Sequence, residues 1–300
     1  MSKFPRPSAN GCHDIAIFLP RRLAACTSPA VEPHEVTETV LYDISKPLKP
    51  RVKGRIGVTS NGRNDHSSTF SWDGDTLIVT DEHAGSLATG ECKGEGGLDQ
   101  GVLTFYDVEN PRRPTLLAQQ PPHSVRGVDW CHPKQLNVVP LPSGDDVLVA
   151  SWVGGGTTVV DFTGLNRSDD KPGRPPREVA HYLVPRGLAG GGTGQLGNPN
   201  VTVHWASYWH NGYVYANNTW ACFYALCMGT QARGLDVFSL DFRDDPALPN
   251  QDRARLADAF DDALELPWFN SYVQACLPRG FGDAHGSGDA YDACRARQRR

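Results

Sequence analysis

The sequence predicts an all-β fold, a β-propeller of about four blades with a short C-terminal helical tail. Three observations carry that expectation. A short phrase recurs four times at blade-like spacing. The segments between its copies hold further short strands rich in Val, Ile, Tyr and Thr. The composition, with 31 Gly, 23 Pro and only 2 Met in 300 residues, is that of a turn-rich chain with few long helices.

The recurring phrase is apolar and β-branched, then Asp or Ser, then apolar again, with a Pro-containing turn after most copies. "VLYDISKPLKP" reaches it at Asp43, "LTFYDVENPRRP" at Asp107, "TVVDFTGLN" at Asp161 and "LDVFSLDFRDDP" at Ser239. Repeats of this period signal propeller blades or solenoid units. Each unit opens on a histidine-bearing stretch ("CHDIAIF", "DHSSTFSW", "CHPKQLNVVPL", "VHWASYW") and turns into a short apolar strand. The phrase follows, then an outer segment such as "PRVKGRI" or "REVAHYLV". Four strands per unit favour a propeller over a sandwich.

The first unit, about residues 11–60, starts with "CHDIAIFLPRRLAAC". A turn at "FLP" pairing Ile17 with Arg21 brings Cys12 opposite Cys26, and predicts a cross-strand disulfide. The second unit, about 61–121, contains the hairpin "HSSTFSWDGDTLIVTDEH". A two-residue Asp73-Gly74 loop pairs Phe70 with Leu77 and His66 with Asp81, and a loop moved by one residue pairs His66 with His83; in either register His66 and Asp81-Glu82-His83 share one edge of the sheet. The third unit covers about 122–185. A Gly-rich loop leads to the fourth, about 200–245, which carries an insertion at 218–231 and lacks an outermost strand. "GTGQLG" at 192–197 has the GxGxxG pattern, but lacks the flanking strand and helix that a dinucleotide site requires. Residues 246–300 form the tail, in which Leu256, Phe260 and Leu264 fall at helical spacing.

Net charge is −5, and no basic cluster stands out apart from the terminal "RARQRR", which excludes duplex nucleic acid as an expected partner. No apolar run reaches the length of a membrane helix. The eight cysteines favour disulfides and an oxidising compartment. The first ten residues lack an apolar h-region, which favours the cytoplasm if that start is authentic.

"GCHDIAIF", "VLYDISKPLKPRV", "HSSTFSWDGDTLIVTDEH", "VPLPSGDDVLVASWVGGGTTVVDFT" and "ARGLDVFSL", in that order, resemble the LVIVD-repeat β-propeller family, over residues 11–242. The resemblance implies an exported bacterial protein, extracellular or at the cell surface, matched here over its C-terminal half. The ring is then open, completed by a second chain, or closed with four blades. Open sheet edges favour self-association.

Candidate chemistry centres on the unit starts. His13, His66, His132 and His204 would form a ring of imidazoles at one mouth of the channel, joined by Asp14, Asp65, Asp81, Glu82 and His83. Imidazole with carboxylate suits a divalent metal such as Zn, Cu or Fe, and carboxylates alone suit Ca. The rival reading is that these residues satisfy backbone groups crowded at the axis. Two further disulfides, Cys92–Cys131 and Cys276–Cys294, are expected. Trp205, Tyr208, Trp209 and Tyr213 make either a sugar-stacking surface or packing between blades. The functional expectation is an exported binding module for an unknown protein or small-molecule ligand. The alternative is a metal-dependent hydrolase or oxidase using the His/Asp/Glu ring.

Overall fold

A computed structural model describes residues 11–28, 37–58, 65–82, 101–121, 132–153, 155–165, 173–183, 204–210, 212–218, 221–223, 226–228, 234–244, 246 and 248–264. His83, Cys92, Cys131, Cys276, Cys294 and the 192–197 glycine motif lie outside them.

The chain is a β-propeller of four blades, each a sheet whose strands follow in chain order. The first is β1 (Asp14–Phe18), β2 (Leu23–Ser28), β3 (Thr37–Asp43) and β4 (Arg51–Val58). The second is β5 (Asp65–Phe70), β6 (Thr76–Asp81), β7 (Leu103–Asp107) and β8 (Thr115–Gln120). The third is β9 (His132–Val138), β10 (Val147–Val153), β11 (Gly156–Asp161) and β12 (Arg177–Tyr182). The fourth joins β13 (His204–His210) and β14 (Tyr213–Asn218) to β17 (Gly234–Ser239). The hairpin of β15 (Ala221–Phe223) and β16 (Leu226–Met228), in which Cys222 is the Cα partner of Cys227, interrupts it. The fourth sheet has no outermost strand among the described residues, as its sequence implied.

The recurring phrase has a physical basis. The second strand of each blade meets the end of the third at Leu23↔Asp43, Thr76↔Asp107, Val147↔Asp161 and Tyr213↔Ser239. A carboxylate then accepts the backbone N–H two residues on: Asp43 from Ser45, Asp107 from Glu109 and Asp161 from Thr163. This Asx turn ends each third strand. Ser239 holds the equivalent register position, and Asp241 makes the turn in its place, with Arg243 N–H.

Two registers differ from expectation. β1 and β2 pair as Ile15↔Cys26 and Ile17↔Ala24, because a 3-10 turn at Leu19–Arg21 replaces the tight "FLP" turn. Cys12, just before β1, still bonds Cys26 at a Cα separation of 5.3 Å. In the second blade Phe70 does pair with Leu77, but Asp65, not His66, opposes Asp81. A bulge between the two points causes the shift.

Consecutive sheets pack face to face along their first strands, β1 on β5, β5 on β9 and β9 on β13. Phe18, Leu23 and Leu41 meet Phe70, Leu77 and Tyr106 across the first seam. Ile78, Leu103 and Phe105 meet Leu136, Leu148, Trp152 and Phe162 across the second. Each such side chain contributes roughly 1.5–3 kcal/mol by leaving water. Gly74 closes the first seam: its φ is +75°, and a Cβ there would overlap the Phe18 ring. Arg21 bridges the same seam, donating to Asp75 at 2.8 Å and to Val108 O at 2.9 Å. Among the described residues, no strand of the fourth sheet packs on the first to a comparable extent.

The expected helical tail is present as helix α1 (Asn250–Leu264), and it packs against the blades. Leu256, Ala259, Phe260 and Ala263 join Val147, Val149, Trp209, Val214 and Phe242 in the core between the third and fourth blades. Arg255 ties it down, donating to Asp145 and Asp161, residues only 10% and 5% exposed at their side chains. Arg255→Met should keep the packing and lose the ion pairs. Because Arg255 is a quarter exposed, the expected cost is about 1–2 kcal/mol, measurable as a fall in the urea midpoint with unchanged m value. An unchanged midpoint would show that the pairs add nothing.

Candidate functional site

Three blades carry a β-bulge in the same place, at the start of the first strand. The β5–β6 pairing runs through Ser68↔Val79 and then jumps to Asp65↔Asp81, so His66 and Ser67 oppose Thr80 alone. The β9–β10 pairing jumps from Leu136↔Ala150 to Pro133↔Trp152, leaving Lys134 and Gln135 against Ser151. The β13–β14 pairing jumps from Ser207↔Ala216 to His204↔Asn218, leaving Trp205 and Ala206 against Asn217. Such bulges free two backbone groups and re-aim a side chain. The lone opposing residue meets the freed groups. Thr80 Oγ1 accepts from Ser67 N–H at 2.9 Å, Ser151 Oγ donates to Gln135 O at 2.9 Å, and Asn217 Oδ1 accepts from Ala206 N–H at 2.6 Å.

The first residues of these bulges, His66, Lys134 and Trp205, are equivalent positions on neighbouring blades, and they converge. Lys134 Nζ makes an ion pair with Glu82 and lies 4.4 Å from the centroid of the Trp205 ring. His66 Nε2 is 3.3 Å from the other Glu82 oxygen, and its Nδ1 is 2.9 Å from Ser67 Oγ. His132 Nδ1 bonds the Glu82 backbone carbonyl. The His13 ring lies tilted against that of His66, with centroids 4.1 Å apart and planes inclined by 48°, and its Nδ1 is 3.1 Å from His66 O. Glu82 is thus held by groups from two blades, His66 from the second and Lys134 and His132 from the third, and His13 of the first blade lies against His66. Lys134 and His66 are 4% and 3% exposed at their side chains, while Glu82 at 22% and the exposed His13 form the solvent side.

Burial pulls the Lys134 amine down to about 7. Burial also holds His66 near 2, helped by repulsion from Lys134, His13 and His132. His66 is therefore neutral at physiological pH and donates its Nε2–H to Glu82, whereas Lys134 is divided between ammonium and free amine. A lysine in this state can hydrogen-bond a polar ligand, exchange a proton or attack a carbonyl. Acetylation of Lys134 by acetic anhydride, followed by peptide mass spectrometry, should accelerate between pH 6 and 8 and then level off. A rate still climbing toward the pH of an ordinary lysine would disprove the depressed value.

The expected imidazole ring is thus only partly assembled. His13, His66, His132 and Glu82 share the site. His204 does not join it; its Nδ1 is 2.7 Å from Thr157 Oγ1 and its Nε2 3.2 Å from Asp236, fully buried in the seam between the third and fourth blades. Asp65 accepts from Thr39 Oγ1 at 2.6 Å, and Asp81 from Gly101 N–H at 3.0 Å, so these carboxylates fasten chain segments. Among the described residues, no three His, Cys, Asp or Glu side chains are grouped to hold a metal ion. Trp209 packs between blades and Tyr208 and Tyr213 face outward, so the four aromatics do not form one stacking surface.

Sequence reasoning missed Lys134, and it placed Trp205 with the other aromatics of its strand rather than against a lysine. A signal for them exists in the second strands, "TLIVT", "VLVAS" and "YVYAN", where Thr80, Ser151 and Asn217 end an apolar run at the same place.

No family model matches the chain, and no curated protein matches it. Among solved structures it is similar to the periplasmic gluconolactonase PpgL of Pseudomonas aeruginosa, with TM-score 0.45 and 17% identity over 78% of this chain and 53% of that one. It is also similar to hydrazine synthase of Kuenenia stuttgartiensis, with TM-score 0.43 and 11% identity over 83% and 58%. The Dos1 propeller matches with TM-score 0.41 and 11% identity over 78% and 43%. The chain spans about half the length of these structures.

Proposed function

We propose that this chain is an exported propeller of the LVIVD-repeat type that binds a small polar ligand at the bulged end of its first strands. The observation that carries this reading is Lys134, a buried amine held between Glu82 and Trp205 by three equivalent bulges. A buried, half-neutralised lysine lowers stability, and such groups concentrate at functional sites. The Cys12–Cys26 disulfide supports an oxidising compartment. No described helix is long and apolar enough to cross a membrane. Exposed Leu235 and Val237 on the last strand of the fourth sheet support self-association; a single monomer species at all concentrations in sedimentation equilibrium would end that part of the reading.

Thermal melts against a panel of small sugars, carboxylates and carbonyl compounds test the ligand site. At least one class should raise the Tm of the natural chain and leave that of Lys134→Met unmoved. No shift, or the same shift in both proteins, defeats the proposal. Stoichiometric Zn, Cu or Fe in chelator-free preparations, lost on His66→Ala with His132→Ala, would replace it with the metal-enzyme reading.

A further inference from the structure

Away from the bulged end, an open cleft of about 400 Å³ lies at the outer edge of the first two blades. Its lining is Asp43, Arg51, Val52, Lys53 and Arg112. The sequence concealed this feature, because its basic residues come from two separated stretches. "KPLKPRVKGR" at 46–55 holds five basic residues and no acidic one, and "NPRRP" follows more than fifty residues later. The fold joins them, which corrects the expectation that only the terminal arginines cluster.

The junction is specifically built. The turn at residues 110–114 lies flush on β4 at Gly54, where a Cβ would overlap the Pro111 carbonyl oxygen. Asn110 holds the turn, its side-chain oxygen accepting from Arg112 N–H at 3.2 Å and its backbone oxygen from Arg113 N–H at 2.9 Å. Arg112 is thereby set beside Arg51 and Lys53. The single carboxylate, Asp43, is already engaged: one oxygen accepts from Ser45 N–H at 2.9 Å, and the other is 3.7 Å from Lys53 Nζ. Arg51 and Arg112 make no ion pair among the described residues. Three cations against one carboxylate leave the cleft with two uncompensated positive charges on a chain of net charge −5.

We infer that this cleft is a second ligand site, which takes a small dianion of the phosphate-monoester type. Its volume suits a small molecule rather than a polymer. Two guanidinium forks and an ammonium match the oxygens and charge of a phosphate group better than those of a single carboxylate. Because the cleft is open to water, binding is weak and salt-sensitive.

Titration of glycerol 3-phosphate into the full chain at low salt, followed by calorimetry, tests the inference. One saturable site is expected. Arg51→Gln and Arg112→Gln should each weaken it about tenfold, since a charge-assisted hydrogen bond contributes on that scale. Gly54→Ala should weaken it by displacing the turn. Asp43→Asn, which retains the acceptor for Ser45, should tighten it. Lys134→Met should leave it unchanged, so failure here is separable from failure of the ligand site at the bulged end. Absence of saturation, affinity in both arginine variants equal to that of the natural chain, or binding of heparin without binding of the monoester would each overturn the inference.

Discussion

Replacing Lys134 by methionine should stabilise the protein at pH 7 by about 2–3 kcal/mol. The reasoning is proton linkage. The amine titrates near 7 in the folded chain and near 10.5 when unfolded. Between those values the unfolded state binds more protons, so stability rises with pH there and the full penalty applies below 7. Each pH unit of that interval corresponds to about 1.4 kcal/mol, which puts the penalty at neutral pH on the order of 4 kcal/mol. Methionine fills a similar volume without a charge. The variant leaves Glu82 without its ammonium, but Glu82 keeps His66 and some solvent, which returns about 1–2 kcal/mol of the gain. Urea unfolding at pH 6, 7, 9 and 10 is the measurement. The natural chain should gain on the variant as pH rises, and the two should converge near pH 10. A variant less stable than the natural chain at pH 7 would mean that the Lys134–Glu82 pair is a net structural asset. The case for a ligand site that lowers stability would then fall with it.

The blade architecture was legible because its markers are chemical necessities repeated in every unit. Each third strand must end, and an aspartate that caps its own turn ends it, so Asp43, Asp107 and Asp161 recur at intervals a reader can count. The fourth copy was found at Ser239 from the flanking apolar pattern, with its turn carboxylate two residues later at Asp241. The site was legible only in part. His13, His66 and His132 stood out because histidine at a strand start is conspicuous. Lys134 did not, and Trp205 stood out only as one of four aromatics, because a bulge is a backbone event that leaves the alternation of residues readable in either register. His204 looked equivalent to the other histidines in sequence, but Asp236 on β17 and Thr157 on β11 of the neighbouring blade supply both of its ring nitrogens with partners. The basic cleft was hidden for a third reason: its halves meet only when two blades do.

Phe260→Ala should cost about 3–5 kcal/mol, with the damage concentrated in the fourth blade. The size follows from burial and cavity formation: Phe260 is 6% exposed and lies against Phe242 at 5.1 Å and Trp209 at 6.2 Å between ring centroids. The location follows from topology. Among the described residues each sheet packs mainly on its chain neighbours, and the fourth sheet has one such neighbour and three strands. Helix α1 supplies the apolar cover that a further strand would otherwise contribute, and β14 and Phe242 meet it directly in the shared core. Loosening that cover lowers the free energy of opening the terminal unit before it lowers that of the whole. Amide hydrogen exchange on the variant should therefore show β13, β14 and β17 losing protection well ahead of β6 and β7, and the Trp209 fluorescence transition should precede loss of the bulk β signal in urea. Uniform loss of protection across all four sheets would instead mean that the chain unfolds as one cooperative body. A change below about 1 kcal/mol would mean that the helix is an appendage, and that the fourth blade holds its edge without it.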